Sequence, residues 1–254
     1  MSRRAPSEKL AGTGPRPSRR EFLHATATAG AVGLAAPHLV PAAVLGRGRR
    51  TAANERIQIG LIGAGSMGRA NLRNCARHED VVGMLDEIEG RGTVVDIVCN
   101  NAGIQVPYRE DFWQTPVADF DLCFRVNFTA VATICYHFMP KMIERGFGRV
   151  INTTSGIMEQ PQQAAYSASK AALDKYTTDL GTAVEGSDLL INLTDPGWLR
   201  TDMGGPNAPG APEDSLPGVV VGAFVDDGKS GRWFSAAEFV GMSLEEAVKK
   251  AGTM

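Results

Sequence analysis

An α/β fold built on a parallel sheet is what this sequence predicts, on three observations. Short apolar runs rich in β-branched residues alternate with longer stretches of helical periodicity. A glycine turn, Gly63-Ala64-Gly65-Ser66-Met67-Gly68, sits between the first such run and a helical stretch. That order lets backbone approach a pyrophosphate and offers it the free N–H groups of a helix start. Finally, 254 residues with 43% apolar and 21% charged content fit one soluble globular domain.

Residues 1–50 read as a leader outside the fold. Ser18-Arg19-Arg20-Glu21-Phe22-Leu23 is followed by a weakly apolar run over 25–45, broken by Pro37 and Pro41. Charged segment, apolar segment and small-residue end, in that order, resemble a twin-arginine export signal, with cleavage near Ala43. The run holds His38 and is rich in Ala and Gly, too weak for a stable membrane span. The alternative is a basic, disordered tail with a chance arginine pair, and a cytoplasmic protein.

The domain is expected over 55–254. A strand at 57–62 runs into the glycine turn, and a helical stretch covers 69–77. Residues 81–90 read as a helix, because Met84, Leu85 and Ile88 share one helical face and Gly83 weakens a strand. The alternative makes 81–85 a second strand ending on Asp86, near the ~20 residues past the glycines where a ribose-binding carboxylate belongs. A strand at 94–99 leads to Asn100-Asn101-Ala102-Gly103. Helices are expected around 120–145 and 163–185. A strand at 148–155 ends on Ser155, and one at 189–193 leads to Pro196-Gly197-Trp198-Leu199-Arg200-Thr201. The Gly/Pro stretch 204–212 reads as a loop. Residues 231–234 form the last strand, and Ser243 opens a capping box before a terminal helix reaching Lys250.

Tyr166-Ser167-Ala168-Ser169-Lys170 carries the chemistry. A tyrosine and a lysine at i, i+4 stand one above the other on a helix. A phenol is a poor acid or base at neutral pH because its unperturbed pKa is about 10. A nearby ammonium favours the phenolate, which suits proton exchange with a carbonyl or alcohol oxygen. The other candidates each have an ordinary structural reading as well. Ser155 could end a strand, Asn127 could bond helix backbone, and Thr201 could cap a short helix. The net charge of −2 gives no electrostatic case for nucleic acid. Cys75, Cys99, Cys123 and Cys135 show no C-x-x-C spacing and, with the four histidines, no metal-ligand pattern, so buried reduced thiols are expected.

Taken in order, N-N-A-G, then Asn127, then Ser155, then Y-x-x-x-K, then P-G-x-x-x-T resembles the short-chain dehydrogenase/reductase family over roughly residues 80 to 235. The resemblance implies an NAD- or NADP-dependent oxidoreductase acting on a small alcohol or carbonyl substrate. It implies that Tyr166 is the acid/base, that Lys170 lowers its pKa and holds ribose hydroxyls, and that Ser155 bonds the substrate oxygen. Asn127 would hold a water in a proton relay. Asn101, Ala102 and Gly103 would line the adenosine ribose, and Pro196, Gly197 and Thr201 would meet the nicotinamide end. Ser155 lies slightly closer to Tyr166 than in many members, which reads as a trimmed loop. The 204–212 stretch would cover the substrate, with Trp198, Leu199, Met203, Met158 and Trp113 as candidate apolar walls. Pairing of the helices at 120–145 and 163–185 into a homodimer or homotetramer is also implied.

The glycine turn departs from that family, whose members usually show T-G-x-x-x-G-x-G. Residues 18–82 instead resemble exported glucose–fructose oxidoreductases and inositol dehydrogenases, with Gly63, Gly65 and Gly68 as the cofactor-binding glycines and a seam near Val81. A complete nucleotide half needs roughly 70 residues between its first and fourth strands, at about 30 per βαβ unit. The interval from Gly63 to Asn100 is far shorter. The prediction is therefore a Rossmann-like parallel sheet with a shortened nucleotide-binding half, whose first strand becomes a sheet edge. The alternative to an enzyme is a hybrid or truncated dehydrogenase that does not bind cofactor productively.

Overall fold

The computed structural model describes residues 59–62 and 78–254. The leader at 1–50, the glycine turn with Gly63, Gly65 and Gly68, and the helical stretch at 69–77 lie outside the described residues. The elements are β1 (Ile59–Ile62), α1 (His78–Gly90), β2 (Ile97–Asn100), α2 (Val117–Phe124), α3 (Ala130–Arg145), β3 (Gly148–Thr153), α4 (Ala164–Ala183), β4 (Leu189–Asp195), β5 (Trp233–Ser235) and α5 (Leu244–Ala251).

The strands form one sheet in the order β1-β2-β3-β4-β5, and every pairing is parallel. Parallel strands need a crossover between neighbours, and helices supply three of them: α1 from β1 to β2, α2 and α3 from β2 to β3, and α4 from β3 to β4. The helix reading of 81–90 therefore holds, and the strand alternative ending on Asp86 does not. Among the described residues, β1 has a strand neighbour on one side only, as expected for a shortened nucleotide half.

Alternation along each strand distributes apolar side chains to two cores. On one face Val98, Val150, Leu189, Ile191 and Leu193 pack with Val81 and Leu85 of α1, Ile134, Phe138 and Met142 of α3, and Leu173 of α4. On the other, Leu190 packs with Phe234, Phe239, Ala247 and Ala251, while Ile97 and Ile151 pack with Phe147 and Ala223. The helical stretch Val117–Arg145 is long and apolar enough to cross a membrane, but half of its apolar window is buried inside the protein. Its hydropathy belongs to a core helix.

Two glycine positions rest on backbone contact. A Cβ at Gly181 of α4 would lie 2.6 Å from the Gly231 amide nitrogen, so α4 closes directly on the segment before β5. Gly146 ends α3 at φ 71°, the left-handed conformation that stops a helix. At the other end of the domain, the predicted capping box is present. The Ser243 hydroxyl accepts from the Glu246 amide at 3.2 Å, and the Ser243 amide donates to Glu246 Oε2 at 2.8 Å. Ser243→Ala is expected to cost about 1 kcal/mol. In a thermal melt that is a midpoint lower by roughly 2–4 °C.

Candidate active site

The carboxyl ends of β2, β3 and β4 open into a cleft of about 1260 Å³. Open α/β sheets place their ligands at this edge, where the loops leaving the strands diverge. Asn101 and Gly103 come from the β2 exit, Thr153 and Ser155 from the end of β3, and Pro196, Gly197 and Thr201 from the β4 exit. Helix α4 adds Tyr166 and Lys170.

Helical spacing puts Tyr166, Lys170 and Asp174 on one side of α4, while Ser169, Leu173 and Thr177 are buried. Tyr166 packs against Val106, Cys123 and Ala165, and lines the cleft together with Ser155. Ser155 Oγ accepts from the Ile157 amide at 3.3 Å. Burial pushes the Tyr166 pKa up, the nearby Ser155 hydroxyl opposes the rise, and the Asp195 charge adds to it. The expectation that Lys170 draws this pKa down is not met here. Its ammonium lies 5.9 Å from the ring centroid and donates to the Thr153 carbonyl at 2.8 Å.

Lys170 is itself 4% exposed. Burial lowers its pKa to about 8, opposed first by the Asp174 charge and less by Asp195, which favour the ammonium. Asp174 accepts a hydrogen bond from the Thr154 hydroxyl, and burial raises its pKa. The cation is thus held by one carbonyl and a carboxylate a turn away, in a setting where its proton is weakly retained.

Asn127 does not line the cleft; it is fully buried behind it. Between α2 and α3 the chain makes a π-helical turn, Arg125–Thr129, and Asn127 sits inside it. Its Oδ1 accepts from the Ile104 amide at 2.8 Å, and its Nδ2 donates to the Ile104 carbonyl at 3.0 Å and to Ser169 Oγ at 2.9 Å. A Cβ at Gly103 would stand 3.5 Å from both Asn127 Oδ1 and Lys170 Nζ, so these two groups converge on the loop after β2. The extra residue of a π-turn re-aims a side chain, and such turns are frequent at functional sites.

The cofactor candidates divide. Asn101, Gly103, Pro196, Gly197 and Thr201 line the cleft, whereas Ala102 does not. Thr153 Oγ1 donates to Asn101 Oδ1 at 3.3 Å. Thr201 Oγ1 accepts from the Gly204 amide at 3.1 Å, shaping a local turn. Among the apolar candidates, Trp198, Leu199 and Met203 line the cleft. Met158 and Trp113 do not; Met158 is 74% exposed on the loop after β3, and Trp113 is 85% exposed in the short 3₁₀ turn Phe112–Gln114. The 204–212 loop is tied back to the β4 exit. Trp198 Nε1 donates to the Gly204 carbonyl at 2.8 Å, and Arg200 N to the Gly210 carbonyl at 2.8 Å.

Two acidic residues of the site were missed in the sequence. Asp195 precedes Pro196-Gly197; its carboxylate accepts from the Gly156 amide at 3.1 Å and the Gly197 amide at 3.0 Å, joining the β3 and β4 exits. Asp174 follows Lys170 at i+4, a spacing legible in the sequence. Among the described residues, no cluster of three or more His, Cys, Asp or Glu could hold a metal ion.

The family model described as short chain dehydrogenase matches residues 49–211. Nodulation protein G of Azospirillum brasilense is 34% identical over 128 residues, 49% of this chain and 51% of that protein. Acetoacetyl-CoA reductase of Cupriavidus necator is 31% identical over 134 residues, 51% of this chain and 53% of that protein. The chain thus spans about half the length of these curated relatives. Among solved structures, a short chain dehydrogenase from Salmonella enterica serovar Typhi aligns with a TM-score of 0.57 at 22% identity, covering 72% of this chain and 87% of that one. An NAD+-bound xylitol dehydrogenase aligns with a TM-score of 0.56 at 21% identity, covering 72% and 88%. At such identities the likeness is one of fold.

Proposed function

Because this chain belongs to the short-chain dehydrogenase family, we propose that it interconverts an alcohol and a ketone or aldehyde with NAD or NADP, Tyr166 acting as acid/base. The observation that carries this reading is that Ser155, Tyr166 and Lys170 line one cleft at the carboxyl ends of the strands. The cleft volume of about 1260 Å³ exceeds the ~300–1,000 Å³ usual for one small ligand. It has room for a substrate beside part of a cofactor.

The donor set suits the nicotinamide end of such a cofactor. Lys170 would hold ribose hydroxyls, Thr201 the carboxamide, and Asn101, Ala102 and Gly103 the adenosine ribose, with Pro196 and Gly197 alongside. When bound, the dinucleotide supplies or accepts the hydride. Tyr166 is the proton donor to the carbonyl oxygen in reduction, and burial keeps its phenol protonated at neutral pH for that task. Ser155 donates a hydrogen bond to the same oxygen, where negative charge develops. Lys170, with a pKa of about 8, gives up a proton readily enough to restore the phenol. Asn127 positions the β2 exit loop against that lysine.

One observation favours the non-catalytic alternative: only α1 separates β1 from β2 among the described elements, and β1 has no outer strand there to wall an adenine pocket. Calorimetric titration of the purified full chain with NADH and NADPH separates the two readings. Saturable binding of either supports the oxidoreductase; no heat from either at millimolar concentration overturns it and leaves the hybrid. The leader at 1–50 and the glycine turn at 63–68 fit an exported enzyme with a nucleotide loop of the second family. Export of a folded, cofactor-loaded protein would reconcile that leader with the catalytic body. Cell fractionation tests it, and a wholly cytoplasmic product removes the export signal.

A further inference from the structure

We propose that Gln163 selects the substrate, accepting a hydrogen bond from a hydroxyl carried beside the reacting carbon. The site would then favour vicinal diols and hydroxyketones over plain alkyl alcohols and ketones. This rests on reading the cleft as an alcohol/carbonyl site.

Gln163 closes the short turn Pro161–Gln163 and caps the start of α4. The turn is fixed at both ends. The Gln163 amide donates to the Gln160 carbonyl at 2.9 Å, and the Arg109 amide donates to the Gln162 carbonyl at 3.1 Å. Gln163 is 7% exposed and lines the cleft, yet its Oε1 is buried with no hydrogen-bond partner among the described residues. A buried carbonyl oxygen left unpaired is costly, and it accepts hydrogen bonds without donating them. As placed, that oxygen is complementary to a hydrogen-bond donor.

Position makes the donor a substrate group. Tyr166 lies three residues on, in the first turn of the helix that Gln163 caps, and both residues line the same cleft. Other cleft acceptors are satisfied differently: both Asp195 oxygens hold backbone amides, Thr201 Oγ1 accepts from Gly204, and the Gln105 and Gln160 side chains are exposed to solvent, whereas Gln163 is buried. Ile157, Leu199 and Val219 supply apolar wall, which suits the carbon skeleton and offers a hydroxyl no partner. A substrate lacking that hydroxyl would leave Oε1 unpaired in a dried site, and such sites discriminate strongly against the deoxy analogue.

The test compares propylene glycol with isopropanol by ligand-observed NMR titration, and hydroxyacetone with acetone in turnover, using the full chain. The wild type is expected to prefer the hydroxylated member by on the order of tenfold. Gln163→Leu should abolish that preference, read as the ratio of the two affinities in each protein, and Gln163→Glu, which keeps an acceptor, should retain it. Equal wild-type affinities, or a preference that survives Gln163→Leu, overturn the proposal. Dinucleotide titration of the same proteins keeps the two readings apart. A diol preference lost in Gln163→Leu without any dinucleotide binding sinks only the oxidoreductase. Dinucleotide binding without a diol preference sinks only the role of Gln163.

Discussion

Tyr166→Phe is expected to lower turnover by about a thousandfold, within the range that a positioned acid or base contributes, while dinucleotide affinity stays nearly unchanged. The substitution removes one oxygen and keeps the ring. That ring packs against Val106, Cys123 and Ala165, so helix α4 should hold Lys170 in place. Ser155 keeps its contact with the Ile157 amide and its aim into the cleft. What is lost is the proton that reaches the carbonyl oxygen, and with it most of the stabilisation of the developing alkoxide. Its loss should be mild for folding, since the phenol lines the open cleft and the ring packing is kept. The measurement is steady-state turnover at saturating cofactor, with calorimetric binding and a thermal melt on the same preparations. Equal rates in the two proteins would take Tyr166 out of the mechanism. A rate loss accompanied by lost binding would reassign it to holding the cofactor.

Much of this architecture was legible because strands of a doubly covered parallel sheet are nearly continuous apolar runs. The runs at 148–155 and 189–193 are β3 and β4, although pairing rather than hydropathy set their ends at Thr153 and Asp195. Likewise β2 begins at Ile97 and not at Val94, where the apolar run starts. The Tyr166–Lys170 pair was legible because helical spacing is geometry. Its electrostatics were not, because spacing says nothing of burial, and burial moves both pKa values away from each other's help. The π-turn around Asn127 was hidden for a related reason. The wider turn is held by bonds to Ile104 and Ser169, which are remote in sequence. Trp113 and Met158 were misplaced because an apolar side chain on a short connecting turn or loop carries no signal of which way that segment faces. Gln163 could not be singled out from Gln160 and Gln162 until its neighbours were known. Its distinction is an acceptor that nothing among the described residues satisfies.

Lys170 shows what the site costs the fold. Lys170→Met is expected to abolish the pH dependence that the buried ammonium imposes on stability. The folded-state pKa is about 8, against 10.5 for a free lysine. Between those values the unfolded chain binds the proton more often than the folded one, so wild-type stability gains with rising pH. Below pH 8 both states carry the charge, and the full desolvation penalty is present. The shift is worth roughly 3 kcal/mol at 1.36 kcal/mol per pKa unit. Three thiols, two buried and Cys99 half-buried, act in the opposite sense. Burial raises Cys99 and Cys123 to about 11 and Cys135 to about 12, so above their ordinary value of 9.0 the unfolded state loses protons that the folded state keeps. The Cys99 and Cys135 terms are common to both proteins and cancel in the difference; Cys123 loses the small lowering by the Lys170 charge in the variant. Urea melts below pH 8 and near pH 10.5 should therefore show the wild type gaining on Lys170→Met by roughly 3 kcal/mol. The bond from Nζ to the Thr153 carbonyl, which the methionine also removes, adds an offset that is largely constant with pH. A flat difference would mean that Lys170 is solvated in the folded protein, and would remove the reason for giving it a mobile proton. A sloping difference, together with lost turnover in the variant, would show a charge kept in the core against stability because the proton transfer at Tyr166 uses it.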